Sequence, residues 1–301
     1  MIDTLVLSGG GLKGFSIIES INQLIINKII NLKNIKNYYG TSVGTIISFL
    51  LCIGYSMEEI IFFTNNFNFG KISEDINIDD LLTNFGLSSG KTIMSILQAL
   101  LFEKINKYNI TFEDIYEKFK KKINIVVTNI TDGVEEIFSF DDTPKTSVLI
   151  AIRMSIAVPI IFTPVEYNNK KYLDGGLVNN FPINHVKSEN YLGIACNFNI
   201  KKNLSLFHEY IFNFLHITIK TISLKNITKN NIERIIFLEN YEEISELDFN
   251  ENNILKLKKA GSESTLNFIN KNNLVITKIK FINFLKDNIQ FITDSFNPSD
   301  I

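Results

Sequence analysis

The chain begins with a short aliphatic run, Thr4-Leu-Val-Leu-Ser8, which is closed by glycines and followed by Phe15, Ile18, Ile21, Leu24 and Ile25 at the three- and four-residue spacing of one helix face. This reads as strand, glycine turn and helix. The pattern then repeats: Ile35 to Tyr39 leads into Gly40-Thr-Ser-Val-Gly44 and a second apolar helix. Asn124 to Ile130 and Glu136 to Phe140, on either side of Asp132-Gly133, predict two strands joined by a hairpin. Tyr55 to Lys122 reads as mostly helical with several loop breaks. Beyond Pro182 the pattern predicts a strand over 191–198, a helix over 206–224, a strand over 234–238, an acidic loop, and a helix over 251–269. Strands alternating with helices predict an α/β fold whose central sheet is mostly parallel and flanked by helices. Neither an internal repeat nor a long linker interrupts it, so residues 188–301 are expected to pack on the same domain as the preceding 5–187.

Composition narrows the partners more than the fold. With 45% hydrophobic residues over 301 positions the chain can bury a large core. A formal net charge of -2, from 30 basic and 32 acidic side chains, gives no general attraction toward nucleic acid or an anionic membrane, so lipid contact must be local and apolar. Cys52 and Cys196 both lie in apolar runs and read as small core residues in a reducing, cytoplasmic setting. The longest apolar stretch, Val43 to Tyr55, is well short of the about 20 residues that span a bilayer, so any membrane association is peripheral. No oligomeric state is read from the pattern.

Three glycine-rich segments carry the candidate chemistry. Gly40-Thr41-Ser42-Val43-Gly44 fits the G-x-S-x-G nucleophile elbow, where a strand turns sharply into a helix and the flanking residues must be small. The serine then stands at a helix N-terminus, where backbone N–H groups favour negative charge. Gly9-Gly10-Gly11-Leu12-Lys13-Gly14 again links strand to helix and can aim backbone amides at an anion, either a phosphate or an oxyanion. Tyr172-Leu-Asp174-Gly175-Gly176 ends a strand in a carboxylate and a turn, with Asn180 and Pro182 following.

Competing readings attach to some of these residues. The glycine run after a first strand is also the dinucleotide fingerprint, but that motif requires an acid at the end of the second strand, where this chain has Tyr38-Tyr39-Gly40. Gly86-Leu-Ser-Ser-Gly90-Lys91-Thr92 is one residue short of a phosphate-binding P-loop and reads better as a loop before a helix starting near Lys91. His185, His208 and His216 follow Asp174, so a Ser-Asp-His triad is formally open, with His185 the one placed to return to the site. The three histidines and two cysteines show no metal-ligand spacing, and no cofactor is expected.

The three segments, in this order, resemble the patatin-like phospholipases, and Met154-Ser155-Ile-Ala157-Val-Pro159 is similar to the family's S-x-A-x-P segment. The resemblance implies a three-layer fold related to the α/β hydrolases, with 5–187 as catalytic core. It also implies a Ser/Asp dyad: Ser42 as nucleophile, Asp174 as base with Gly175 and Gly176 completing its motif, and an oxyanion hole drawn from Gly9, Gly10, Gly11, Lys13 and Gly14. Gly40, Thr41, Val43 and Gly44 would form the elbow. The implied activity is calcium-independent ester hydrolysis on a phospholipid, lysophospholipid, galactolipid or triacylglycerol. A lipid-binding or scaffolding protein that keeps the fold is the alternative. Lys13 would either orient an anionic head group or lay its stem over the sheet edge.

Phe62, Phe63, Phe67 and Phe69 crowd the segment after the elbow helix. They read either as rings that insert into a lipid interface or, with more weight, as internal packing.

Overall fold

The computed structural model describes residues 1–73, 76–77, 79–198, 200, 207–239 and 249–272. The strand–turn–helix units fall where the pattern predicts them: β1 (Thr4–Leu7), a 3₁₀ turn (Gly11–Lys13), α1 (Gly14–Ile26), β2 (Asn37–Thr41) and α2 (Val43–Cys52). The segment expected to be mostly helical contains α3 (Met57–Asn66), α4 (Asp79–Thr83), β3 (Gly86–Ser88), α5 (Lys91–Ile105) and α6 (Phe112–Phe119). Next come the hairpin β4 (Lys122–Asn129) and β5 (Val134–Ser139), then α7 (Val148–Ser155), β6 (Ile160–Phe162), β7 (Val165–Tyr167), β8 (Lys170–Asp174) and α8 (Gly176–Asn179). The last part holds β9 (Tyr191–Cys196), α9 (Phe207–Lys225), β10 (Ile235–Leu238) and a helix α10 over residues 251–272. Most of the expected acidic loop, and the His208 side chain, lie outside the described residues.

The main sheet has the order β10-β9-β1-β2-β4-β8-β7, with β5 also pairing with β4. The strands β10, β9, β1, β2 and β4 run parallel, while β8 and β5 are antiparallel to β4 and β7 to β8. Side chains leave a strand on alternate faces, and the core divides accordingly. Leu5, Leu7, Ile123, Ile125 and Val127 join the large core with Ile17, Ile21 and Leu24 of α1. Val6, Ala195 and Ile235 face the opposite side, against Phe181 and Ile183.

The C-terminal part adds β9 and β10 to the same sheet and lays α10 along α1. Small polar residues make that helix contact close. Ser16 Oγ donates to the Leu257 carbonyl at 2.7 Å, and Thr265 Oγ1 to Ser20 Oγ at 2.7 Å. A Cβ on Gly261 would strike the Ser16 carbonyl. Among the described residues, no helix is long and apolar enough to cross a membrane.

The short strands β3 and β6 pair with each other outside the main sheet. Three-residue strands offer too few positions for alternation to register in sequence. In the near-P-loop segment, Gly86 to Ser88 form β3 themselves, Gly90 takes φ 69°, and α5 starts at Lys91, as the loop reading expects.

Candidate active site

The elbow arises where β2 ends and α2 begins. Ser42 lies between them at φ 53° and ψ -127°, a conformation costly for a non-glycine residue and held only by its surroundings. Several contacts hold it. The Ser42 N–H donates to Ser155 Oγ at 3.0 Å, and the Ser155 hydroxyl donates onward to the Val126 carbonyl at 2.7 Å. Thr45 Oγ1 donates to the Ser42 carbonyl at 2.6 Å, and Thr41 Oγ1 to the Asn179 carbonyl at 2.9 Å. Gly44 lies so close to β1 that a Cβ there would meet the Leu7 and Ser8 carbonyl oxygens. The space left empty at Gly14 is filled by Val43.

Strand register brings Asp174 to the same place. Thr41 pairs with Val126 on one side of β4, and Asp174 pairs with Val127 on the other. Ser42 and Asp174 therefore stand about two strand spacings apart, roughly 10 Å between Cα atoms, a gap two facing side chains can close. The segment 155–157 ties the two together: besides Ser155 on Ser42, the Ala157 carbonyl accepts from the Asp174 N–H at 2.9 Å. Asp174 Oδ1 accepts from the Gly176 N–H at 2.7 Å, while Oδ2 is buried and meets no hydrogen-bond partner at bonding geometry. Burial pushes the carboxyl up from 3.8 to about 7; the nearby Ser42 hydroxyl and the Gly176 amide pull the other way.

The glycine loop completes the cluster. Gly9 N–H donates to the Asn180 carbonyl at 3.1 Å and Lys13 N–H to the Gly10 carbonyl at 2.9 Å, so both amides are engaged internally. Those of Gly10 and Gly11 take part in neither bond, and both residues line the cavity that Ser42 and Asp174 also line. Lys13 Nζ donates to the Asn197 carbonyl at 3.1 Å and lies 4.1 Å from the Phe198 ring centroid. Of the two roles weighed for it, this is the one in which the side chain covers the sheet edge.

The cavity measures about 270 Å³ and is walled mainly by apolar side chains, among them Ile47, Leu50, Ile60, Leu97 and Leu100. His185 is not part of that wall: its Nε2 lies 2.8 Å from Glu135 Oε1. Among the described residues, the histidine that reaches the cavity is His216 of α9, its ring 5.2 Å from that of Phe198. Sequence order pointed to His185 because it follows Pro182 closely, whereas His216 arrives by the packing of a later helix. The roles of Ser155, Ala157 and Thr128, whose hydroxyl donates to the Asp174 carbonyl at 2.7 Å, also escape the motif reading. Only Ser155 and Ala157 carried a signal, as part of the S-x-A-x-P segment.

Fold and site define an α/β protein with a strand–serine–helix elbow facing a buried carboxylate. Residues 5–187 match the model of the patatin-like phospholipase family, and the chain belongs to that family. It is 36% identical over 205 residues to a probable lipid hydrolase, 463L, of Invertebrate iridescent virus 6; the match covers 66% of this chain and 65% of that protein. It is 31% identical over 272 residues to the uncharacterized protein R571 of Acanthamoeba polyphaga mimivirus, covering 83% of this chain and 86% of that one. In fold it is similar to VipD from Legionella pneumophila, with TM-score 0.56 and 17% identity over 90% of this chain and 67% of that one.

Proposed function

We propose that this protein is a lipid acyl hydrolase that cleaves carboxylic esters of membrane lipids through an acyl-enzyme on Ser42, with Asp174 as base. The observation that carries the reading is the buried Asp174 carboxylate, with one oxygen lacking a partner, beside a strained serine, both lining an apolar cavity. A scaffold gains nothing from either feature.

In the reaction, the Ser42 hydroxyl gives its proton to Asp174 as Oγ attacks the ester carbonyl. Negative charge develops on the carbonyl oxygen, where the Gly10 and Gly11 amides stabilise it. Asp174 returns the proton to the leaving alcohol, and the acyl chain stays on Ser42, lying in the apolar cavity. Water then enters, Asp174 takes its proton, and the fatty acid leaves as the serine hydroxyl is restored. A carboxyl with a pKa near neutrality suits both directions of transfer. The mechanism has no step for calcium.

A fluorophosphonate that labels wild-type protein and leaves Ser42→Ala unlabelled is the expected result, with ester hydrolysis lost in the same variant and circular dichroism unchanged. Hydrolysis by wild type should persist in excess EDTA. Labelling that survives in Ser42→Ala, or activity that returns only with calcium, refutes the mechanism.

A further inference from the structure

Of the phenylalanines that compete between membrane and core, Phe63, Phe67 and Phe69 pack internally, as the more heavily weighted reading expects. Phe67 and Phe69 pack at 5.0 Å between centroids, Phe69 also meets Phe15 at 5.0 Å, and Phe63 and Phe69 line the cavity. Of the four rings, only Phe62 is mostly exposed. A different element carries the larger outward apolar surface.

That element is α9. Phe212, Leu215, His216 and Ile219 line the cavity from this helix. On the far side, Tyr210, Phe214, Ile217 and Leu224 are exposed by 57%, 61%, 47% and 55%. At about 100° per residue the two sets lie on opposite faces. The outer set forms one stripe about 21 Å long, interrupted by exposed Thr221, whose hydroxyl donates back to the Ile217 carbonyl at 2.8 Å, with exposed Lys225 next to Leu224 and exposed Lys229 beyond the helix end. A helix inside a globular domain turns one apolar face inward and a polar face to water; α9 has apolar faces on both sides.

We infer that the outer stripe of α9 lies in the interface of a phospholipid bilayer, so that one helix separates membrane from cavity. This rests on the acyl-hydrolase reading, which requires a substrate that resides in a bilayer. The continuity of the two faces selects lipid as occupant. With Tyr210, Phe214 and Ile217 among the acyl chains and the lysines near lipid phosphate, the cavity wall lies at head-group depth. An acyl chain then passes from bilayer to cavity around a single helix without crossing bulk water.

Partition of full-length protein onto vesicles of phosphatidylcholine with one fifth phosphatidylglycerol tests this, with Ser42→Ala as background so that lipid is not consumed. Removing each side chain from the interface lowers partition roughly tenfold, so Phe214→Ser with Ile217→Ser should lower it about a hundredfold. In the active background the same pair should lose vesicle hydrolysis and keep both the thermal midpoint and turnover of a soluble short-chain ester. The chain contains no tryptophan, so Phe214→Trp supplies a single reporter whose emission should shift to the blue on vesicles and be quenched by brominated lipid. Unchanged partition, or an emission that ignores vesicles, overturns the inference. A lowered midpoint or a change in oligomeric state shows the stripe covered by other parts of the chain or by a second copy, and also overturns it. Failure of wild type on the soluble ester strikes the hydrolase reading instead, and the binding measurement still stands.

Discussion

Replacing Asp174 by Asn should make the protein more stable at alkaline pH while removing its activity. Unfolded, the carboxyl ionises near 3.8; folded, burial holds its proton until about 7. Between those values the native state carries one more proton than the unfolded chain, so stability falls by about 1.36 kcal/mol for each pH unit. The advantage is complete below the unfolded value and lost as pH rises through about 7. From pH 5 to pH 8 the loss is about 3 kcal/mol. Asn does not titrate, fills nearly the same volume and can still accept from the Gly176 amide. The unfolding free energy of Asp174→Asn relative to wild type should therefore rise by about 3 kcal/mol across that window, since other titrating groups cancel in the difference. Urea unfolding followed by circular dichroism at pH 5, 6, 7 and 8 measures it. In parallel, wild-type kcat/KM on a soluble ester should fall about tenfold per pH unit below 7, and the variant should be slower by at least about 100-fold. Parallel stability curves for the two proteins, or a flat wild-type kcat/KM from pH 5 to 8, would refute the argument.

Ser155→Ala removes the acceptor of the Ser42 amide and leaves that buried N–H unpaired, which costs about 1–3 kcal/mol. A larger proportional drop in kcat than in KM is expected, because the nucleophile loses its strut, and restoration by Ser155→Thr would support positioning; an unchanged kcat would refute it. Gly44→Val forces side-chain atoms onto the Leu7 and Ser8 carbonyls, and overpacking of this kind costs typically about 1–3 kcal/mol or more. Thermal unfolding should show a clear drop in midpoint, and a variant as stable as wild type would contradict the close approach of α2 to β1.

Part of the motif was legible because it answers a local backbone demand. Gly40 precedes a serine at positive φ by two residues and sits where a Cβ would meet the backbone of Gly44 and Thr45. Such demands act within a few residues and leave a fixed pattern. The long helices and the β4–β5 hairpin were legible through periodicity for the same reason. What was not legible depends on register across the sheet. Nothing near Asp174 states that Val127 will bring it level with Ser42, that β8 runs against β4, or that His216 rather than His185 reaches the cavity. Phe69 shows the same limit, since its spacing suits either a membrane or a core, and it packs against Phe15 and Phe249, both distant in sequence.

The position of β1 between β2 and β9 has a consequence for synthesis. Leu7 pairs with Gly40 on one side and with Ile194 on the other. At about 5–20 residues per second, roughly 10–40 s separate the emergence of β1 from that of β9. Through that interval the strand that carries the glycine loop has one open edge, apolar on both faces, of the kind that recruits other chains. In a chain of this design the edge stays unpaired until Ile194 arrives. A fragment cut at residue 187 would keep that edge open for as long as it existed.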